Sequence, residues 1–208
     1  MHFRDRVDAG RALARLLASH AGRPDVLVLG LPRGGVPVAA EVARTLHVPL
    51  DVFLVRKLGV PGHEELAFGA IAEGGVRVLN DELIRDLHVR PEAVERVSIR
   101  EEQELRRHDQ LYRAGRPFPG VAGRTVILID DGLATGATME AAVRAVRQQA
   151  PARIVVAVPV GARETCARLA TVADEVVCVA TPSPFDAVGL WYQDFRPTSD
   201  DEVRALLA

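Results

Sequence analysis

One segment of the chain, residues 126–138, constrains the fold more than any other. Four apolar residues predict a buried strand, and Asp130 and Asp131 follow directly at its end. A turn of small residues then leads into an amphipathic helix that we predict over residues 139–149. A strand that passes through a Gly/Thr-rich turn into a helix forms an anion site, because the first backbone N–H groups of the helix have no internal partners and carry partial positive charge.

The two aspartates restrict which anion this site can bind. Thr135 and Thr138 add hydroxyl donors, and Gly136 lets the backbone approach a phosphate closely. Asp130 and Asp131 would repel that phosphate unless they face sugar hydroxyls or a metal ion carried by the ligand. The segment therefore predicts a ligand with a phosphate at one end and a diol nearby, as in a ribose 5-phosphate.

Strand and helix patterns alternate along the rest of the chain, which predicts an α/β fold with a doubly wound, mostly parallel sheet. We predict strands at residues 25–30, 50–55, 126–129, 153–158 and 175–179, and helices at 4–19, 39–46, 139–149 and 162–170. Between them we predict a loop and hairpin over 58–79, and a helical insert over 80–113 that begins at the N-cap Asn80 and contains a long charged helix at 91–113.

Composition is consistent with one enzyme-sized domain. The 208 residues are 48% hydrophobic, which is enough for a single α/β core over 1–208. A net charge of −2 argues against a nucleic-acid partner, and the apolar runs are well under the roughly 18 residues that a membrane span needs. No signal peptide is visible, and Cys166 and Cys178 lack C-x-x-C spacing. We therefore expect a cytoplasmic protein without a zinc site, although one disulfide stays open.

The apolar strand, acidic pair and Thr-Gly-x-Thr turn resemble the phosphoribosyl-pyrophosphate (PRPP) motif of the type I phosphoribosyltransferases. The resemblance implies that Asp130 and Asp131 hold the ribose hydroxyls. It also implies a 5-phosphate site at Ala134, Thr135, Gly136, Ala137 and Thr138. An ordinary acidic turn is the simplest alternative. Response-regulator receivers also have an Asp-Asp pair at a strand end, but theirs follows the first strand and lacks the Thr-Gly-x-Thr turn.

Two other strand ends match this family. The turn after the first core strand resembles the family's pyrophosphate loop, and the run from Val55 to Pro61 is similar to one in adenine-type members. Lys57 is also the only lysine among 26 Lys and Arg residues, which favours a specific role for it, although chance can leave one lysine anywhere. The resemblance implies a pyrophosphate site at Pro32, Arg33, Gly34, Gly35, Arg56 and Lys57.

The resemblance gives less information about the residues that would bind the acceptor. A mobile loop from Gly59 to about residue 70 would close over the reaction, where Glu64 and Glu65 are either proton shuttles or simply solvated. The segment 181–208 would form the acceptor-binding hood. Its aromatic side chains either stack on a planar acceptor, or cap the sheet edge or pack in a dimer: Phe185, Trp191, Tyr192 and Phe195. Ala134 stands where hypoxanthine-guanine members carry an aspartate, which argues against that subclass.

The resemblance implies an enzyme that transfers ribose 5-phosphate from PRPP to a nitrogen nucleophile, a nucleobase in kind, with release of pyrophosphate. It implies Mg²⁺ as the cofactor, held through PRPP rather than by direct protein ligands. The catalytic residues would be Lys57, Arg33, Asp131 and Glu65. PRPP and a small acceptor would be the partners, and a homodimer would be ordinary for this family. A non-catalytic PRPP or nucleotide sensor and a phosphoribosyl hydrolase are the alternatives.

Overall fold

The computed structural model describes residues 2–208, apart from the side chains of Glu64 and Glu65. The strands are β1 Val26–Gly30, β2 Leu50–Val52, β3 Val55–Val60, β4 His63–Ala72, β5 Val76–Leu79, β6 Thr125–Ile129, β7 Arg153–Val160 and β8 Glu175–Ala180. The helices are α1 Arg6–Leu16, α2 Gly35–Leu46, α3 Asp81–Asp86, α4 Pro91–Arg113, α5 Ala137–Arg147, α6 Arg163–Leu169 and α7 Asp200–Leu207. None of these helices is long and apolar enough to span a membrane.

The main sheet has five parallel strands in the order β2-β1-β6-β7-β8. Alternate residues of β6 face opposite sides of it, because side chains alternate along a strand. Val126 and Leu128 pack with α5 and α6, whereas Ile127 and Ile129 pack with α1 and α2. Helices therefore cover both faces, and the predicted doubly wound α/β fold is confirmed.

The structure corrects the prediction for residues 50–70. The predicted strand at 50–55 is interrupted: β2 belongs to the main sheet, and at Val55 the chain enters a separate antiparallel sheet in the order β3-β4-β5. The segment predicted as a mobile loop forms the end of β3 and most of β4, which pair through an irregular register near Gly59. The predicted hairpin of β4 and β5 is present, and a Cβ on Gly69 would lie only 2.5 Å from the Val78 carbonyl.

The predicted helical insert is confirmed, including Asn80, whose side chain accepts a hydrogen bond from the Leu83 N–H at 3.0 Å. Helix α4 contacts β3, β4 and α7. The sequence prediction missed α7, a short amphipathic helix that Ser199 caps. Together α4, α7 and the small sheet form a second layer beside the carboxyl ends of β1 and β2.

Candidate active site

The loops that leave β1 and β6 carry the predicted site residues. The chain goes from β1 outward to β2 and later returns on the other side of β1 as β6. The connections after β1 and β6 therefore run to opposite sides at this switch point, where they leave a crevice beyond the strand ends. Gly30 is paired with Ile129 in register, and the Leu31 N–H donates to the Ile129 carbonyl at 2.8 Å. The predicted pyrophosphate loop and acidic pair are thus neighbours.

Close packing joins residues 32–35 to the acidic pair, Asp130 and Asp131. A Cβ atom built on Gly34 would overlap Asp131 Oδ2. One built on Gly35 would lie 2.5 Å from the Ile129 carbonyl and 2.8 Å from the Asp130 Cα. Both glycines are therefore needed for the approach of the two loops.

Arg6, which sequence reasoning missed, contacts the acidic pair from α1. Its Nε and Nη2 donate to Asp131 Oδ2 at 2.9 and 2.8 Å, and the side chains of Arg6 and Asp131 are only 11% and 15% exposed. The Arg6 guanidinium also lies over the Phe195 ring, 4.1 Å from its centroid. One arginine among many gives no sequence signal for this contact, because it depends on how α1 packs.

The acidic pair is poorly stabilised as two anions. Burial and the neighbouring Asp131 carboxylate raise the pKa of Asp130 well above its usual range. Burial also raises the pKa of Asp131, although the Arg6 guanidinium opposes this shift. Hydroxyl donors or a cation brought by a ligand would stabilise both carboxylates.

Helix α6 supports the predicted phosphate loop, residues 134–138. Thr165 Oγ1 donates to the Ala134 carbonyl at 2.7 Å, and Arg168 Nη2 donates to the Thr135 carbonyl. Gly136 adopts a φ of +71°, and a Cβ there would lie 2.5 Å from Thr165 Cγ2. These contacts use the carbonyl groups of the loop and leave its exposed side, at the N-terminus of α5, for an anion.

The predicted cationic residues line adjacent clefts beside the two loops. Arg33, half-exposed, has an Nη1 atom 3.8 Å from Asp200 Oδ1. Arg56 pairs with Glu101 at 2.7 Å, and Lys57 borders the same cleft as Arg56 and Thr138. The structure therefore gathers these cations around the phosphate loop. The side chain of Glu65, predicted as catalytic, lies outside the described part of the chain.

The aromatic residues predicted to bind the acceptor pack against one another and the N-terminus. Tyr192 is buried between Phe3 and Phe195, and its hydroxyl donates to the Asp131 carbonyl at 2.6 Å. Of the two alternatives for Tyr192, its burial and this hydrogen bond favour packing, in which the side chain supports the acidic pair. Trp191 stacks on His2 with ring centroids 5.3 Å apart, and Phe185 belongs to the same apolar cluster.

Comparison with known proteins settles the family. The profile of the phosphoribosyl transferase domain matches residues 4–190. The chain belongs to the phosphoribosyl transferase domain family. It is 53% identical over 205 residues to a protein provisionally named a phosphoribosyl transferase in two strains of Mycobacterium tuberculosis, covering 99% of this chain and 46% of that protein. The chain thus spans about half the length of the curated relatives that it matches.

A crystal structure from Thermus thermophilus matches this phosphoribosyl transferase domain throughout. The two are 49% identical, with a TM-score of 0.89, and the match covers 100% of this chain and 98% of that one. The second layer formed by α4, α7 and the small sheet therefore lies within an architecture that a solved relative shares over its length.

Proposed function

We propose that this phosphoribosyl transferase domain transfers ribose 5-phosphate from PRPP to a nitrogen nucleophile, a nucleobase in chemical class, and releases pyrophosphate. The observation that carries the proposal is the meeting of the two loops predicted to bind anions and the acidic pair at the switch point between β1 and β6. A single phosphate would need only one such loop. PRPP carries phosphate groups at both ends of a ribose diol, which matches the order of the loops and carboxylates.

Each part of the site has a role in this reaction. The phosphate loop would bind the 5-phosphate through the N–H groups of α5, and Asp130 and Asp131 would accept hydrogen bonds from the ribose hydroxyls. Arg33 and Lys57 would stabilise the charge that develops on pyrophosphate as its bond to the ribose C1 breaks. The nitrogen lone pair forms the new bond to C1, and the nitrogen then loses its proton. Glu65 remains the predicted acceptor of that proton.

The acidic pair also suits the proposed cofactor, Mg²⁺. Burial raises the pKa of both carboxyl groups, so a donor that brings a cation close to them would stabilise them as anions. Asp130 and Asp131 would hold a magnesium–PRPP complex through the ribose hydroxyls. When bound, magnesium would offset the crowded negative charge of the donor.

Pyrophosphate release measured with PRPP and magnesium tests the proposal. The assay is run with a panel of purine and pyrimidine bases and without an acceptor. Release that depends on one acceptor supports transfer and identifies the base. Release without any acceptor would instead indicate a hydrolase, and PRPP binding without release would favour a sensor.

The acidic pair gives a first mutational prediction. Asp131→Asn should lower turnover roughly 100-fold while the protein still unfolds cooperatively, because the amide cannot replace the charge-assisted contact to ribose. Asp201→Asn is the matched control for Asp131→Asn, since Asp201 is an exposed partner of Arg204 on α7. Lys57→Ala should also lower turnover without unfolding the protein. Turnover like that of the wild type in Asp131→Asn would contradict the assigned ribose contact.

A further inference from the structure

The space in front of Arg33 is a cleft that extends well beyond the predicted pyrophosphate loop. It has a volume of about 410 Å³ and lies beside a second cleft of about 310 Å³, with which it shares Val55, Arg56 and Thr138 as bordering residues. Arg33 borders the first cleft, and Lys57 borders the second. The first cleft connects the anion loop after β1 with the N-terminal turn of α5.

Helix α4 forms the outer wall of this cleft. Arg100 and Arg107 lie seven residues apart, which is nearly two helical turns, so both face the same side of the helix. Several α4 side chains border the two clefts: Arg100, Glu101, Leu105, Arg107, His108 and Tyr112. The insert, which no part of the PRPP motif predicts, therefore lies against the proposed site.

The two clefts are cationic. Among the side chains that the structure describes, five basic ones border them (Arg33, Arg56, Lys57, Arg100 and Arg107), together with two carboxylates, Glu101 and Asp200. Glu101 pairs with both Arg56 and Arg100. Asp200 accepts a hydrogen bond from the Tyr112 hydroxyl at 2.6 Å. The remaining positive charge favours a multiply charged anion.

Two neighbours on α4 contact the half-exposed guanidinium of Arg107. Its Nε donates to Glu104 Oε2 at 3.1 Å, and its Nη2 lies 3.3 Å from His108 Nε2. His108 Nδ1 lies 2.8 Å from the Glu104 carbonyl, which can only accept. Nδ1 therefore carries the proton in the neutral ring, and Nε2 accepts from Arg107. The other N–H groups of Arg107 have no hydrogen-bond partner among the described residues.

We propose that Arg107 binds the pyrophosphate group of the donor opposite Arg33, so that helix α4 completes the leaving-group site. This inference rests on the proposed transfer reaction. Pyrophosphate matches the basic side chains that border the clefts because it is compact and multiply charged. The contact strengthens as the leaving group gains charge, so Arg107 contributes to the reaction as well as to binding.

Calorimetric titration of the whole protein with magnesium pyrophosphate, and separately with ribose 5-phosphate, tests the proposal. Arg107→Gln should weaken pyrophosphate binding roughly tenfold, as expected for one lost charge-assisted hydrogen bond, and leave ribose 5-phosphate binding unchanged. Arg106→Gln is the matched control, because Arg106 is adjacent but faces a different groove and pairs with Glu102. Arg107→Lys should recover part of the affinity.

Each other outcome overturns the assignment. Wild-type pyrophosphate affinity in Arg107→Gln, together with acceptor-dependent transfer, removes Arg107 from the site and leaves the proposed function intact. If Arg106→Gln and Arg107→Gln lost the same affinity for pyrophosphate, the loss would reflect the net positive charge of α4 and not a specific contact of Arg107. If the wild-type protein binds neither ligand, both the inference and the proposed function fail.

Discussion

Gly34 and Gly35 lie so close to the acidic pair that neither has room for a side chain. Gly34 adopts ordinary helical dihedral angles, with φ −62° and ψ −31°, so its backbone would accept alanine. The restriction comes from Asp131, whose Oδ2 occupies the place of the missing Cβ. Glycine is therefore needed at position 34 of the Pro-Arg-Gly-Gly loop because of the contact with Asp131, and not because the backbone needs a conformation that only glycine adopts.

This contact predicts the effect of Gly34→Ala. The added methyl group should displace the Asp131 carboxylate and weaken ribose 5-phosphate binding roughly tenfold or more, measured by calorimetry. Gly10→Ala is the control, because its Cβ would lie 2.8 Å from the Glu41 Cβ in the packing of α1 on α2, away from the loops. If Gly10→Ala impaired binding as much, lost stability would explain both results.

At the scale of elements, α6 has a role that its sequence did not suggest. It follows β7, the strand beside β6, and therefore reaches the phosphate loop from its carbonyl side. An isosteric Thr165→Val replacement should weaken ribose 5-phosphate binding about threefold to tenfold, because it removes one hydrogen bond that shapes the loop. The melting temperature should change little.

Thr171→Val is the matched control for α6. Thr171 Oγ1 also donates to a backbone carbonyl, that of Arg168, but it does not touch the loop. If Thr165→Val and Thr171→Val bound ribose 5-phosphate with equal affinity, the hydroxyl of Thr165 would not support the site. This comparison uses the same substitution in the same part of the chain.

Periodicity predicted most elements of the main sheet within a few residues, and α4 at its full length. It failed where pairing decides the structure. The chain leaves the parallel sheet after Val52, and residues near Gly59 become strands only because β3 and β4 pair with each other. The glycines there suggested a mobile loop, since local sequence carries no information about a partner strand.

At the scale of the whole molecule, Arg113 joins α4 to both sheets. It is 1% exposed and contacts Asp51 at 3.0 Å, Glu73 at 2.7 Å and Asp109 at 2.5 Å. Three carboxylates around one guanidinium leave excess negative charge, most of it away from water. Burial accordingly raises the pKa of Glu73 to about 7, against the opposing effect of Arg113.

The raised pKa predicts how stability depends on pH. Between the ordinary value of 4.5 and about 7, the folded protein holds a proton on Glu73 that the unfolded chain releases. The contribution of Glu73 to the free energy of unfolding should therefore fall as pH rises through this range. Glu73→Gln should flatten the slope, measured by urea unfolding at several pH values.

Glu95→Gln is the control for that slope, because Glu95 is exposed on α4 and pairs with Arg77. An unchanged slope in Glu73→Gln would mean that another group controls the pH dependence. The experiment is independent of the proposed reaction, since Arg113 and its carboxylates lie outside the proposed binding contacts.

The sequence by itself determined the parallel sheet, the helices on its two faces and the family, because hydrophobic periodicity and an ordered motif are local properties. It also placed Asp130, Thr135 and Arg33 at strand ends. Only the tertiary structure decided that Arg6 holds Asp131, that Tyr192 supports the acidic pair and that α4 lines the cleft. These contacts join residues far apart in the chain, so they depend on how elements pack and not on the pattern within any one of them.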